Sequence, residues 1–371
     1  MNVLKNLKLD KKLLKELDYI TIITAICIVI FGCVNMYSAT YKAHGNYYVK
    51  LQIIFLILGL IMIYAFLFFD YMLIENYAVL IYWAGVIFLI INHFFGTNIN
   101  GAKSWIKIGS MAVQPSEFAK IGMIIIIAKK LDEMEGNINN SKTLLKLILY
   151  AAIPMILILI QPDMGMTMVS FFMVLGIFYC VGLDWKILSG GITAIVLILV
   201  GAWNSPIIQS YQKSRLTAFL NPTKNLQGSG LQLLQSKMAI GSGGIMGSGF
   251  LKGMQFNNIP ENHTDFIFAV LGEEWGFIGA IILLLLYGVI IYRVIKIAKE
   301  SKDIFGSVIC VGFVSNLLFS ILQNMGMTIG LMPISGVTLP FMSYGGSSIL
   351  TSFIMLGFVL NIGMRRKKIN F

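Results

Sequence analysis

The sequence is short of charge. Only 12% of its 371 residues are Asp, Glu, Lys or Arg, while 57% are hydrophobic; soluble domains carry about 25% charged residues. A water-soluble globular chain is thereby excluded. Cysteine is scarce as well. Cys27, Cys33, Cys180 and Cys310 each fall inside an apolar run and form no CxxC pair, so neither a disulfide framework nor a zinc site is suggested. The three histidines (His44, His93, His263) are scattered, with no HExxH, no GxSxG and no Ser/His/Asp grouping. Metalloprotease and serine-hydrolase chemistry therefore lack support. The net charge of +11 is not gathered on a basic face with interleaved aromatics, so no nucleic-acid partner is expected.

Long apolar runs are what the chain does have, at a mean hydropathy of +0.81. Ten are expected to cross a bilayer: residues 19–40, 49–69, 77–95, 115–128, 147–160, 164–181, 187–203, 265–292, 304–327 and 345–364. Most are near the roughly 20 residues a span needs; the fourth and fifth are short, which suggests tilt or a protein flank. The pattern predicts an all-α polytopic membrane protein, one integral domain over 1–371, with a large extracytoplasmic loop at 204–264. The basic N-terminus leads into an apolar stretch with no small-residue cleavage site, so the first span is expected to be retained. Of the 28 lysines and arginines, 18 fall in the tails and the loops on their side and 9 in the opposite loops or at their edge. That bias places both tails, 1–18 and 365–371, on the cytoplasmic side of the membrane.

The stretch 260–280, PENHTDFIFAVLGEEWGFIGA, is the seam between the longest polar loop and an apolar helix. Asp265 is placed there either as a general base or as a helix-capping side chain favoured by the helix dipole. Glu273 and Glu274 lie about 12 Å deeper along the helix, where an ionisable group is by default a functional candidate. Glu117 and Lys120, three residues apart, share a helix face and read as a structural pair or as a cation facing an anionic substrate. Asp163, in QPD between two spans, carries the same two readings. The long loop holds Lys213, Arg215, Lys224, Lys237 and Lys252, with glycines at 228–230 and 241–249 whose backbone N–H groups could approach phosphate. These features fit an enzyme on a lipid-linked anionic substrate and fit a transporter equally well.

Eight pieces resemble the SEDS family (shape, elongation, division and sporulation proteins). They are MYSAT at 36–40, GAKSWIKIG at 101–109, QPSEFAK at 114–120, QPDMG at 161–165, RLTAFLNP at 215–222, QLLQSKMAIGSGG at 232–244, the seam at 260–280, and GLMPISGVTLPFMSYGGSS at 330–348. The LDY before span one and MPISGVTLPF look more like the RodA branch than the FtsW branch. The resemblance implies a peptidoglycan glycosyltransferase using lipid II, and a single-span class B penicillin-binding protein and other elongation-machinery proteins as partners. Crosslinking must come from such a partner, because no SxxK with SxN and KTG occurs here. It implies Asp265, in the HTDF motif, as the residue tied to activity, and Trp105, Glu117, Lys120 and Arg215 as matching family positions. Asp163, His263 and Glu273, within matching motifs, join them as substrate-binding candidates. Gly247-Ser248-Gly249 departs from the family, where a Lys or Arg often stands between the glycines; Lys252 is the candidate substitute. No protein metal site is expected, although a divalent cation, Mg or Mn, is an alternative to Arg215 or Lys120 as the positive charge beside a pyrophosphate. A lipid II flippase, a septal or sporulation polymerase and a scaffold for a partner synthase are the alternative roles.

Overall fold

The computed structural model describes residues 11–99, 102–109, 111–202, 210–224 and 228–366. The expected tail residues 1–10 and 367–371, and loop residues 203–209 and 225–227, lie outside them. A short α1 (Lys11–Lys15) precedes ten long helices that match the ten expected spans: α2 (Tyr19–His44), α3 (Tyr47–Phe68), α5 (Ala78–Phe95), α6 (Pro115–Glu133), α7 (Ser141–Ile160), α8 (Met164–Val181), α9 (Trp185–Ala202), α12 (Ile267–Lys299), α13 (Ile304–Ile329) and α14 (Gly346–Met364). A six-residue α4 (Tyr71–Asn76) links α3 to α5. Among the described residues, eight helices are long and apolar enough to cross a membrane.

Spans four and five are longer than their apolar runs. Helix α6 continues through Lys129 and Lys130, which pair with Glu133 one turn on, and α7 begins in the polar segment at Ser141, capped by the Asn140 side chain. The expected shortness came from ending each span at its first charge, although a helix continues as long as its backbone bonds do. Helix α6 is buried almost throughout, and α14 is the most enclosed of the apolar helices. They form the centre, with α5 packed on α6, α3 on α14, and α8 on α13.

Two of the connecting segments carry secondary structure of their own. The loop at 96–114 is a three-stranded antiparallel sheet, β1 (Thr97–Ile99), β2 (Ala102–Ile108) and β3 (Met111–Val113), in the order β1-β2-β3. β2 is seven residues long and β1 and β3 three each, so the sheet is a small addition to the helical bundle. The described residues of the segment 204–264 include two helices, α10 (Ser210–Leu220) and α11 (Ser229–Gly243), and α11 packs against α12 and α13.

Helix α12 sets the axis of the molecule. At its start lies Asp265. Near its other end, Arg293 forms an ion pair with Asp18 at 2.7 Å, and Glu300 one with Arg366 at 2.9 Å. Both ends of the described chain therefore meet at the end of the bundle opposite Asp265, as an even number of crossings requires.

Candidate active site

A cavity of about 420 Å³ opens at the Asp265 end, within the size range of small-molecule sites. Six of the nine candidate residues line it: Trp105, Glu117, Asp163, Arg215, His263 and Asp265. They arrive from β2, α6, the α7–α8 turn, α10 and the segment before α12, so no single stretch of sequence contains the site.

Asp265 is not the helix cap. The N-cap of α12 is Phe266, without a side-chain cap bond, and among the described residues the Asp265 carboxylate accepts no hydrogen bond. Burial, together with the negative charge of Glu261, raises its pKa to about 7; Arg215 opposes that shift and Asp163 adds to it. A carboxylate titrating there is matched to general-base work near neutrality. The wall beside it is Gly336, whose φ is +74° and whose missing side chain leaves room for Oδ2.

Asp163 does have a cap role. Its Oδ1 accepts the Met166 N–H at 3.1 Å and its Oδ2 accepts from the Gln114 amide at 3.0 Å. Burial is the largest influence on its pKa and raises it, against these bonds and Arg215. Its turn is held by Gln161, which donates to Leu89 O and accepts from Asn92, while Asn92 also donates to Lys103 O in β2. Sheet and QPD turn are thereby locked to α5. Arg215 is the cation that acts on both Asp163 and Asp265.

Glu117 faces the cavity, but Lys120 stands behind it. Both are buried, 3.1 Å apart, and Thr351 Oγ1 donates to the same Glu117 oxygen at 3.0 Å. The pair fastens α6 to α14. His263 sits in an aromatic group with Tyr48 and Tyr344, at centroid distances of 4.3 and 5.9 Å. Burial lowers its pKa, so its ring is neutral at pH 7.

Glu273 and Lys252 are not brought to this cavity. Glu273 is buried and accepts the backbone N–H groups of Met254, Gln255 and Phe256 at 2.6 to 2.8 Å. Glu274 accepts from Ser38 Oγ and from Leu251 N–H. The deep acids thus satisfy donors of a tight loop. The phosphate-cradle reading of residues 241–249 is corrected likewise: Ser248 and Gly249 donate their N–H groups to Glu273 O and Glu274 O, while Gly244 and Ile245 accept from Phe277 and Ile278. This clamp closes around a break in α12 at Gly276, where φ is +60°. Lys252 is exposed beside Gly249.

Among the described residues no three His, Cys, Asp or Glu side chains converge in a way that would hold a metal ion. That donor set does not by itself fit a bound divalent cation, and Arg215 is a positive group in the cavity lining.

A family model described as a cell cycle protein, FtsW/RodA/SpoVE, matches residues 17–368. The chain belongs to this family. It is 33% identical to the stage V sporulation protein E of Bacillus subtilis, over 93% of this chain and 96% of that one. It is 35% identical to the peptidoglycan glycosyltransferase MrdB of Escherichia coli, over 80% of each. A chain of the solved structure described as "Structural coordination of polymerization and crosslinking by a peptidoglycan synthase complex" superposes with a TM-score of 0.81 at 30% identity, covering 94% of this chain and 97% of that one. Sporulation and MrdB-type relatives match at similar identity, so the family is established and the expected RodA branch is not distinguished from the others.

Sequence reasoning missed four residues in or beside this cavity. Tyr48 and Tyr344 line the cavity with His263. Gly336 makes room for Asp265, and Asn324 holds the Asp265 backbone. Gly336 and Tyr344 lie inside a matching motif and Asn324 is a polar residue inside a span, while nothing in the sequence pointed to Tyr48.

Proposed function

We propose that the chain is an inverting glycosyltransferase that polymerises lipid II, with Asp265 as its base. Peptidoglycan glycosyl transfer is the activity named for MrdB-type members of the family to which the chain belongs. The observation that carries the residue assignment is Asp265: a carboxylate in the cavity wall, without a hydrogen-bond partner among the described residues, held near neutral pKa and within reach of the Arg215 charge.

Lipid II presents an α-linked pyrophosphate at its muramic acid anomeric carbon, and the polymer is β-1,4-linked, so a single displacement accounts for the outcome. The GlcNAc 4-hydroxyl oxygen of the incoming lipid II attacks the donor's anomeric carbon. Its proton passes to Asp265, which must lie within hydrogen-bond reach of that hydroxyl. The bond from the anomeric carbon to the pyrophosphate oxygen breaks, and charge develops on the leaving group beside Arg215. Pyrophosphate is a good leaving group and needs no acid. Asp163, His263, Trp105 and Glu117 contribute the wall that orients the sugars.

The lysine and arginine bias supports cytoplasmic termini and a cavity on the outer face, where lipid II is consumed. The solved complex joins polymerisation to crosslinking, which supports a class B penicillin-binding protein as partner. The elongation role rests on the LDY and MPISGVTLPF segments.

The test is glycan polymer formed from labelled lipid II by the purified protein with its partner, wild type against Asp265→Asn. Polymer in the wild type and none in the folded variant is expected. Polymer in both removes the base from Asp265, and lipid II translocation without polymer in either makes the protein a flippase.

A further inference from the structure

Three consecutive backbone carbonyls at the seam are each taken by a donor from α13 or the α13–α14 connection. His263 O accepts the Tyr344 N–H at 3.0 Å, Thr264 O accepts the Ser343 hydroxyl at 2.7 Å, and Asp265 O accepts the Asn324 side-chain amide at 2.8 Å. Asn324 is fully buried, and the same amide nitrogen also donates to Val337 O at 2.7 Å. Two facing carbonyls settle which end of the amide is nitrogen. One side chain therefore ties the backbone of Asp265 to the residue after Gly336, the glycine that makes room for the Asp265 carboxylate.

The other end of the amide argues for a role in the site rather than in stability. Asn324 Oδ1 is buried with no hydrogen-bond partner among the described residues, an arrangement that lowers stability. A leucine would fill α13 without that unpaired oxygen. Among the described residues the Asp265 carboxylate, for its part, accepts no hydrogen bond that would orient it. Its position follows from where its backbone is held, and Asn324 is the side chain that holds it.

We infer that Asn324 is a positioning residue for the base, fixing the Asp265 backbone against the 336–337 segment. The inference rests on the reading of Asp265 as the base. A misplacement on the order of 1 Å lowers a rate about 100-fold, so a partial loosening lowers kcat by about 10- to 100-fold while leaving substrate binding, made by other walls, nearly intact.

The experiment compares Asn324→Leu with Asn361→Leu. Asn361 is a matched control: a buried asparagine in α14 whose amide donates to Phe66 O and Phe69 O at 2.5 and 2.6 Å, at the end of α14 away from the cavity. With labelled lipid II and the partner present, Asn324→Leu is expected to lower kcat about 10- to 100-fold with KM within about two-fold. The acid limb of its pH–rate profile moves to lower pH, because a loosened seam hydrates Asp265 and relaxes the burial that raises its pKa. Asn361→Leu is expected to lower Tm and leave both kcat and the acid limb in place. The inference is overturned if Asn324→Leu keeps the wild-type kcat and acid limb, or loses activity only in proportion to its folded fraction. Should Asn324→Leu fail to fold, Ser343→Ala, which removes the hydroxyl donor to Thr264 O, is read by the same criteria. Asp265→Asn in the same assay separates the two layers: full activity there removes the base and this inference together, whereas an inactive Asp265→Asn beside an unaffected Asn324→Leu removes only the inference.

Discussion

A Cβ placed on Gly336 would stand 3.3 Å from Oδ2 of Asp265, on a backbone whose φ is +74°. The glycine is therefore required twice, once by its own conformation and once by the carboxylate beside it. Gly336→Ala is expected to lose about 1 kcal/mol or more of stability through the left-handed backbone. It should also displace the carboxylate by a few tenths of an ångström, with a fall in polymerisation of about 10-fold or more. A thermal melt alongside the polymer assay checks both; wild-type turnover would show that the carboxylate has slack.

The pKa of Asp265 gives a pH signature. Polymerisation by the apo-determined base should rise with pH through about 7, since only the ionised carboxylate accepts the proton. The stability effect has the opposite sense. A carboxylate with a raised folded-state pKa binds its proton more tightly when folded, so its ionisation destabilises the fold as pH rises from about 4 to about 7. Asp265→Asn should therefore melt higher than wild type at pH 8 and no differently near pH 4. Equal melting temperatures at both values would show that the site does not strain the charge.

Glu273→Gln should damage the fold rather than the chemistry. The carboxylate takes three backbone N–H donors, and an amide has one acceptor oxygen and turns an NH₂ toward the others. A loss of about 2–3 kcal/mol is expected, visible as a lower Tm, with turnover per folded molecule retained. A variant that is stable but inactive would return Glu273 to the chemistry.

Lys120→Met should leave Glu117 buried and unpaired, at a loss of about 3–5 kcal/mol. The double variant Glu117→Gln with Lys120→Met is expected to recover most of that stability. A double variant no more stable than the single one would show that the two residues do not act as a pair.

Two glycines in one motif should behave differently. At Gly247 a Cβ would meet Glu274 O at 2.1 Å, with φ at +81°, while at Gly241 nothing lies within 4 Å. Gly247→Ala is expected to break the clamp between α11 and α12 and to abolish folded protein. Gly241→Ala, within α11, should stabilise by about 0.5–1 kcal/mol. Expression and thermal melts of the pair decide it.

The sequence by itself determined the ten long helices among the described residues, because each one's signal is local: a sustained apolar run in a chain with little charge. It also carried the family motifs, and with them Asp265, Asp163 and Arg215 in one cavity. Its reach ended where a side chain's partner lies far along the chain. Asp163 and Asp265 look alike in sequence, each at the start of a helix, yet one caps its helix and the other does not. Glu273 looked like a deep functional acid until the loop at 254–256 folded onto it. Asn324 looked like any polar residue inside a span until its amide met Asp265 and Val337. Hydropathy and spacing report what a residue prefers over one or two helical turns. Which carboxylate is left free to take a proton depends on which donors the tertiary structure brings within about 3 Å of it, and that was decided only in the folded bundle.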